Sequence, residues 1–333
     1  MVGFGKKKAA TIRDVAREAG VSIAAVSYAL NRGGTIGEEV RQRVLDVAER
    51  LGYRANQSAR AVRTGRSMTL GLLVPDLNNP YYPALAQSFE RAARRQGYTV
   101  MLIDTAGETA EEIPGIRRLE QHGVDGIVWC QTAAHDAMSP TDFSIPVVII
   151  GTPIDGVDNV TTKDIDGGAI LGRHLIDMGH RRIGMLTAGA IADSKYDRRS
   201  GFVEATRAAA DIVWEEKVPF AVDLPENARA ALARRDVTAV MCGNDLIAVG
   251  ALRAARQLGI AVPDELSVVG FDDIPWAGIV EPPLTTIRQP VGEMAEAALT
   301  LLLDRFAKPD RPAHYLKVGV DLVVRASVAR RMP

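Results

Sequence analysis

From Leu70 onward, short apolar runs recur at 70–74, 99–103, 126–129 and 147–150, separated by helical stretches such as Ala84–Gly97. The alternation repeats in a second half, with runs at 182–186, 238–242 and 266–271. A strand that is apolar along its whole length must be covered on both faces. Strands of this kind alternating with helices therefore predict parallel sheets sandwiched by helices, here in two similar lobes. Ligands in such folds sit beyond the carboxyl ends of the strands. That places interest on Pro75-Asp76, Cys130-Gln131, Asn244-Asp245 and Asp272-Asp273, each of which follows an apolar run.

The first 55 residues read differently. Thr11 can cap a helix, with Asp14 completing a capping box, and Ile12, Val15, Ala16 and Ala19 supply an inward face before Gly20 ends it. Ser22 can cap a second helix running to about Leu30. A third, from about Glu38 to Leu51, is expected to bury Val40, Val44, Leu45 and Val47 and to stop at Gly52. Two helices joined by a tight turn at 20–22 are the parts of a helix-turn-helix. At about 100° per residue, Ile23, Ala24, Ser27 and Tyr28 of the second helix share one arc. Ala25, Val26, Ala29 and Leu30 share the opposite one. The second arc is a core stripe. The first is exposed yet carries an isoleucine and a tyrosine, which an ordinary solvated helix rarely presents.

Charge separates these regions. Residues 1–66 hold 13 lysines and arginines against 6 acidic residues, a net of +7. The remaining 267 residues hold 27 basic against 35 acidic side chains, a net of −8. A basic head on an acidic body suggests a polyanion-binding module. Between them, 56–67 is small, basic and poor in apolar residues, a linker that orders only on binding. The two cysteines, Cys130 and Cys242, form no paired motif, and the five histidines show no metal-ligand spacing, so neither metal nor cofactor is expected. His174 and His180 read as surface or capping residues. With no run of 18 apolar residues and an N-terminus too charged for an export signal, a cytoplasmic location is expected.

The segments "ATIRDVAREAGVSIAAVSYALN", "GYRANQSARAV", "GLLVPDLNNPYY", "DRRSGF", "GNDLIAVGALRAARQLGIAVPDELSVVGFDDI" and "EPPLTTIRQP" together resemble a LacI-family transcriptional regulator. The likeness covers nearly the whole chain. It implies an all-α helix-turn-helix head at 1–55 and a hinge helix at 56–67. It further implies a two-lobed α/β effector domain at 68–333, like a periplasmic sugar-binding protein with two doubly wound parallel sheets. The amino-terminal lobe would take about 68–165 and 291–320, and the carboxy-terminal lobe about 166–290 and 321–333. A homodimer reading a pseudo-palindromic operator, usually as a repressor, is also implied. No leucine-heptad tail follows "VRASVARRMP", so a dimer is expected rather than a tetramer.

In the family, the positions matching Ile23, Ala24 and Tyr28 choose the base sequence. None of the three can make the bidentate contacts that dominate major-groove readout, although Ile23 and Ala24 can touch a thymine methyl and Tyr28 offers one hydroxyl. Base discrimination per half-site is therefore expected to be modest, with phosphate contacts and DNA deformation supplying the rest. Candidate phosphate contacts are Arg13, Arg32, Arg41, Arg54, Arg60 and the helix N-terminus at Ser22. The resemblance adds Thr11, Ser27, Asn31, Asn56 and Ala59 to the DNA-facing set. It also places Val62 where relatives insert a leucine into the minor groove. Valine is a shorter wedge, so less surface would enter the base stack.

In the body, the resemblance implies effector contacts at Tyr81, Asp164, Arg198, Asn244 and Asp272, with Tyr82, Asp76 and Gln131 as further candidates. Charged and amide groups beside an aromatic face suit a polyhydroxylated ligand, because each hydroxyl both donates and accepts. A sugar or sugar derivative is favoured, although Tyr81 and Tyr82 could also stack on a purine or nucleoside acting as corepressor. A non-DNA-binding solute receptor would share the lobes but would have no use for residues 9–63. An enzyme of this class would need a phosphate loop, a dinucleotide fingerprint or a nucleophile–base set, and the sequence shows none.

Overall fold

The computed structural model describes residues 10–31, 36–53, 65–131, 135, 138–188 and 198–331. They form two compact units, Met1–Ser67 and Met68–Pro333.

The first unit holds three helices, α1 (Ile12–Ala19), α2 (Ile23–Asn31) and α3 (Glu38–Arg50). The Thr11 side chain accepts from the Asp14 N–H while the Asp14 carboxylate accepts from the Thr11 N–H, so the two ends close a capping box. Gly20 ends α1 with φ +66°, a left-handed conformation that costs glycine little. Ser22 Oγ then accepts from the Ala25 N–H at 3.1 Å and starts α2. Val15, Val26 and Val44, one from each helix, are fully buried in a shared core with Ala19, Ala29 and Val47. Leu45 was expected in that core but is exposed. It follows Val44 on α3, and a helix turns about 100° per residue, so one of two neighbours must face outward.

The second unit contains two parallel sheets. The strands β1 (Thr69–Val74), β2 (Thr99–Asp104), β3 (Gly126–Cys130), β4 (Val147–Ile150) and β5 (Asp158–Thr162) join a late strand, β11 (Tyr315–Val318), in the order β11-β5-β4-β3-β1-β2. Helices α4 (Tyr81–Arg95), α5 (Glu112–Gln121) and α10 (Val291–Ala307) cover this sheet, with separate apolar cores on its two faces. The strands β6 (Arg182–Ala188), β7 (Asp211–Val218), β8 (Ala239–Cys242) and β9 (Ser267–Val269) form the other sheet in the order β7-β6-β8-β9. Helices α6 (Asp164–Asp177), α7 (Arg198–Thr206), α8 (Glu226–Ala233) and α9 (Asp245–Gln257) flank it. A short antiparallel ribbon, β10 (Thr286–Arg288) with β12 (Asp321–Val323), extends it through single bridges at Val269–Thr285 and Asp272–Arg288. The two-lobed body of parallel sheets is the architecture that the alternation of apolar runs implied, and the three-helix head is the one that the caps and inward apolar faces of the first 55 residues implied.

Some strands carried no apolar run to announce them. β7, "DIVWEEKV", lies at a sheet edge where one face stays polar, and β5, "DNVTT", is buried but polar. β10, β11 and β12 are only three or four residues long. Conversely, β2 was expected to be covered on both faces but is the edge of its sheet, and Leu102 on it is exposed. His180 also departs from expectation. It is fully buried, with Nδ1 2.9 Å from Thr238 Oγ1, and burial pushes its pKa down to about 4.

One helix pair is unusually close. A Cβ at Gly168 of α6 would lie 1.8 Å from the Arg198 carbonyl oxygen, and a Cβ at Gly201 of α7 would lie 1.9 Å from the Ile165 carbonyl oxygen. Only glycine at both positions lets the two backbones touch.

Candidate functional site

On α2, burial divides the helix as its periodicity does. Val26 and Ala29 are buried, whereas Ile23 is 46% and Tyr28 48% exposed, with Ala24 exposed beside them. Ser27 is half-buried, and Arg13 stands exposed on α1. The Thr11 hydroxyl donates to Asp14 at 2.7 Å, so at rest it serves the cap. Asn31 is the last residue of α2. Arg32, Arg54, Asn56, Ala59, Arg60 and Val62 lie outside the described residues. An exposed stripe of one aliphatic, one small and one aromatic side chain offers a docking face able to enter a groove wide enough for a helix.

In the second unit, a cavity of about 250 Å³ opens where the carboxyl ends of the two sheets face each other. Tyr81, Asp164, Arg198, Asn244 and Asp272 all line it, as do Tyr82 and Gln131. Asp76 does not. Its carboxylate turns back to the Asn78 backbone and side chain at 2.8 and 2.9 Å.

The polar groups of the cavity bind one another. Arg198, the first residue of α7, donates to the Gly243 carbonyl at 2.8 Å, to Asp272 at 3.2 Å and to Asp164 at 3.3 Å. Its guanidinium also lies 3.8 Å from the centre of the Phe271 ring. Burial works against the Arg198 charge, but the two carboxylates outweigh it and raise its pKa. Burial raises the Asp272 carboxyl, against the pull of Arg198 and of a hydrogen bond from Gln289. Asp272 is also strained, with φ +122° at a non-glycine residue.

Gln289, which carries no charge or motif role to single it out in sequence, joins the two lobes. Its amide nitrogen donates to Asp272 at 2.6 Å, and its oxygen accepts from Thr162 at 3.2 Å and from Tyr81 at 3.4 Å. Thr162 was missed as well, and its hydroxyl is also 3.1 Å from Asp164. Both lie at strand ends without a charge to mark them, so only the strand-end rule could have found them. Asn244 has a second duty, since its side chain accepts from the Ile247 N–H at 2.9 Å and caps α9. The Gln131 amide lines the cavity with both its nitrogen and its oxygen buried and unpartnered. A buried amide in that state costs free energy that a ligand hydroxyl could recover.

Among the described residues, no group of three His, Cys, Asp or Glu side chains could hold a metal. Burial pushes both Cys130 and Cys242 thiols far above their ordinary range, which removes them as nucleophiles. No helix of the described residues is long and apolar enough to cross a membrane.

Residues 11–56 match the bacterial regulatory proteins of the lacI family, and residues 173–328 match the periplasmic binding protein-like domain. The chain is 33% identical over 331 residues to the HTH-type transcriptional repressor PurR of Pectobacterium carotovorum, covering 96% of this chain and 97% of that one. In fold it is similar to a Lac repressor dimer bound to operator and the anti-inducer ONPF. The TM-score is 0.85 at 22% identity, covering 97% of this chain and all of the other. A complex of the transcriptional regulator CelR with cellobiose matches with a TM-score of 0.68 at 27% identity, covering 96% and 99%. With a helix-turn-helix head, a two-lobed body and relatives matched from end to end, the chain belongs to the lacI family of DNA-binding transcriptional regulators.

Proposed function

We propose that the protein represses transcription by binding a pseudo-palindromic operator as a homodimer, and that a sugar or sugar derivative in the interlobe cavity controls it. The observation that carries the effector reading is the convergence of Arg198, Asp164, Asp272 and Gln289 on one cavity beside the unpartnered Gln131 amide. These groups offer donors and acceptors in the mixture that vicinal hydroxyls require. The cellobiose bound by CelR supports a carbohydrate. Ile23, Ala24 and Tyr28 are the residues proposed to meet base edges. Arg13 and the N-terminus of α2 are proposed to meet phosphates.

Control follows from linkage. A ligand that prefers one spacing of the lobes shifts the population of the DNA-binding state by its differential affinity for the two. A purine or nucleoside is the second reading. Tyr81 and Tyr82 stand edge to face, 5.1 Å apart at 83°, and Phe220 lines the same cavity, half-exposed. A gel shift with the DNA upstream of the protein's own gene, run with and without sugars and nucleosides, tests both readings. A salt-sensitive specific shift altered by a sugar is the expected result. No specific shift at all overturns the regulator proposal, and a shift altered only by nucleosides replaces the sugar.

A further inference from the structure

We infer that Gln131 decides which effector the cavity accepts, by receiving two adjacent hydroxyl groups, a vicinal diol, on its side-chain amide. The inference rests on the effector reading and narrows it to the part of the ligand that is read.

It starts from a contrast among the polar side chains of the cavity. Arg198, Asp272, Gln289, Thr162 and Asn244 all have partners within the protein. Gln131 has none at either end of its amide, and both atoms are buried. Among the described residues it is the only side chain of that kind on the cavity wall, and the only one with two such atoms.

The local structure shows why no protein group reaches it. Gln131 follows the last residue of β3, and its backbone N–H donates to the Ile150 carbonyl at 3.4 Å, which sets it beside the end of β4. Next along that chain is Gly151, with φ +131°, where any other side chain would be strained. A Cβ there would lie 3.8 Å from Gln131 Oε1, so glycine leaves room in front of the amide. Asn159, buried on β5, holds this glycine by donating from Nδ2 to the Gly151 carbonyl at 3.0 Å and to the Ile149 carbonyl at 3.3 Å. Two amides thus stand near Gly151, one bonded within the fold and the other not. Cys130, Ile150 and Thr152 also line this part of the cavity and none is charged, because burial keeps the Cys130 thiol protonated.

A primary amide presents an acceptor and a donor side by side. One hydroxyl satisfies either of them and leaves the other bare, at a cost in free energy. Two hydroxyls on adjacent carbons satisfy both at once, one donating to Oε1 and the other accepting from Nε2. A neutral amide among neutral neighbours suits such groups better than it suits an ion. A site whose polar groups are completed only by the correct ligand rejects the analogue that lacks one hydroxyl, more strongly than an apolar pocket can. Sugars and the ribose of nucleosides carry this diol, and a free purine base does not.

The test is a binding titration of the full chain with matched ligands. Glucose is set beside its 2-, 3- and 4-deoxy forms, ribose beside 2-deoxyribose, and adenosine and guanosine beside their 2′- and 3′-deoxy forms, with free adenine and guanine included. In the set that binds best, at least one deoxy form should bind about ten-fold or more weakly than its parent. Gln131→Leu should bring that form and its parent to within about two-fold of each other. Without ligand, Gln131→Leu should melt no lower than the unaltered chain, since no bond of the fold is lost. Deoxy forms that all bind as tightly as their parents, or a preference that persists in Gln131→Leu, overturn the inference and leave the effector reading intact. A lower melting temperature does the same, by showing that the amide serves the fold. If no sugar or nucleoside binds, whether or not a free base does, both readings fall.

Discussion

The Arg198 guanidinium donates to the Asp272 carboxylate at 3.2 Å, with the Asp272 side chain only 5% exposed. Removing one partner of a mostly buried pair strands the other charge, a loss of about 3 kcal/mol. Arg198→Met should therefore lower the denaturation midpoint clearly, and Asp272→Asn in the same chain should return part of the loss. A double-mutant cycle in urea measures the coupling. Additive losses would mean that the two side chains do not act as a pair.

Gln289 binds Asp272 with its nitrogen and Thr162 with its oxygen, so it ties the lobes together in the described state. Gln289→Leu keeps the approximate volume and removes both bonds, together with the one from Tyr81. The expected outcome is a change in the effector concentration needed to alter operator binding, by about ten-fold or more, since a hydrogen bond to a charged group such as Asp272 is worth about 1.5–3 kcal/mol. Operator titrations at several effector concentrations would read it, and an unchanged midpoint would show that the tie is incidental.

Tyr28 and Val26 are two residues apart on α2 and should behave in opposite ways. Tyr28→Ala removes an exposed side chain and should weaken operator binding about ten-fold or more while leaving thermal stability within about 0.5 kcal/mol. Val26→Ala empties part of the head's core and should cost roughly 2 kcal/mol of head stability. Fluorescence anisotropy with operator DNA and a melting curve on each variant separate the two effects. A half-site scan that reveals a strongly preferred guanine, lost in Tyr28→Ala, would contradict the modest discrimination expected of this helix.

His180 is buried and neutral, with its pKa pushed by burial to about 4 from an ordinary 6.5. Between those two values the unfolded chain binds a proton that the folded chain refuses. Stability should therefore fall as pH drops from about 6.5 toward 4, by up to about 3 kcal/mol from this group. His180→Gln, which removes the titrating ring, should flatten that acid-side slope. Melting temperatures of both proteins across pH 4.5–7.5 test it, and parallel curves would exclude His180 as the cause.

The fold was legible because strands buried on both faces must be apolar along their length, and β1, β3, β4 and β8 are. Edge and ribbon strands obey no such rule, which is why β7, β11 and β12 were silent. The five side chains expected around a ligand line one cavity, because strand ends and charge coincide at Asp164, Arg198 and Asp272. Gln289 and Thr162 were illegible for the converse reason. A neutral side chain shows its role only through the partners it meets, and those lie 127 and 17 residues from Gln289 in sequence.

The paired glycines of α6 and α7 have a further consequence. Asp164 and Arg198 are the first residues of these two helices, and Gly168 and Gly201 leave no slack between the backbones that carry them. The second lobe therefore presents its ion pair as a gauge of fixed width. A ligand cannot widen it by sliding one helix along the other. Any difference in ligand size must be registered by the opposite jaw, through Tyr81 and through Gln289 at the end of β10.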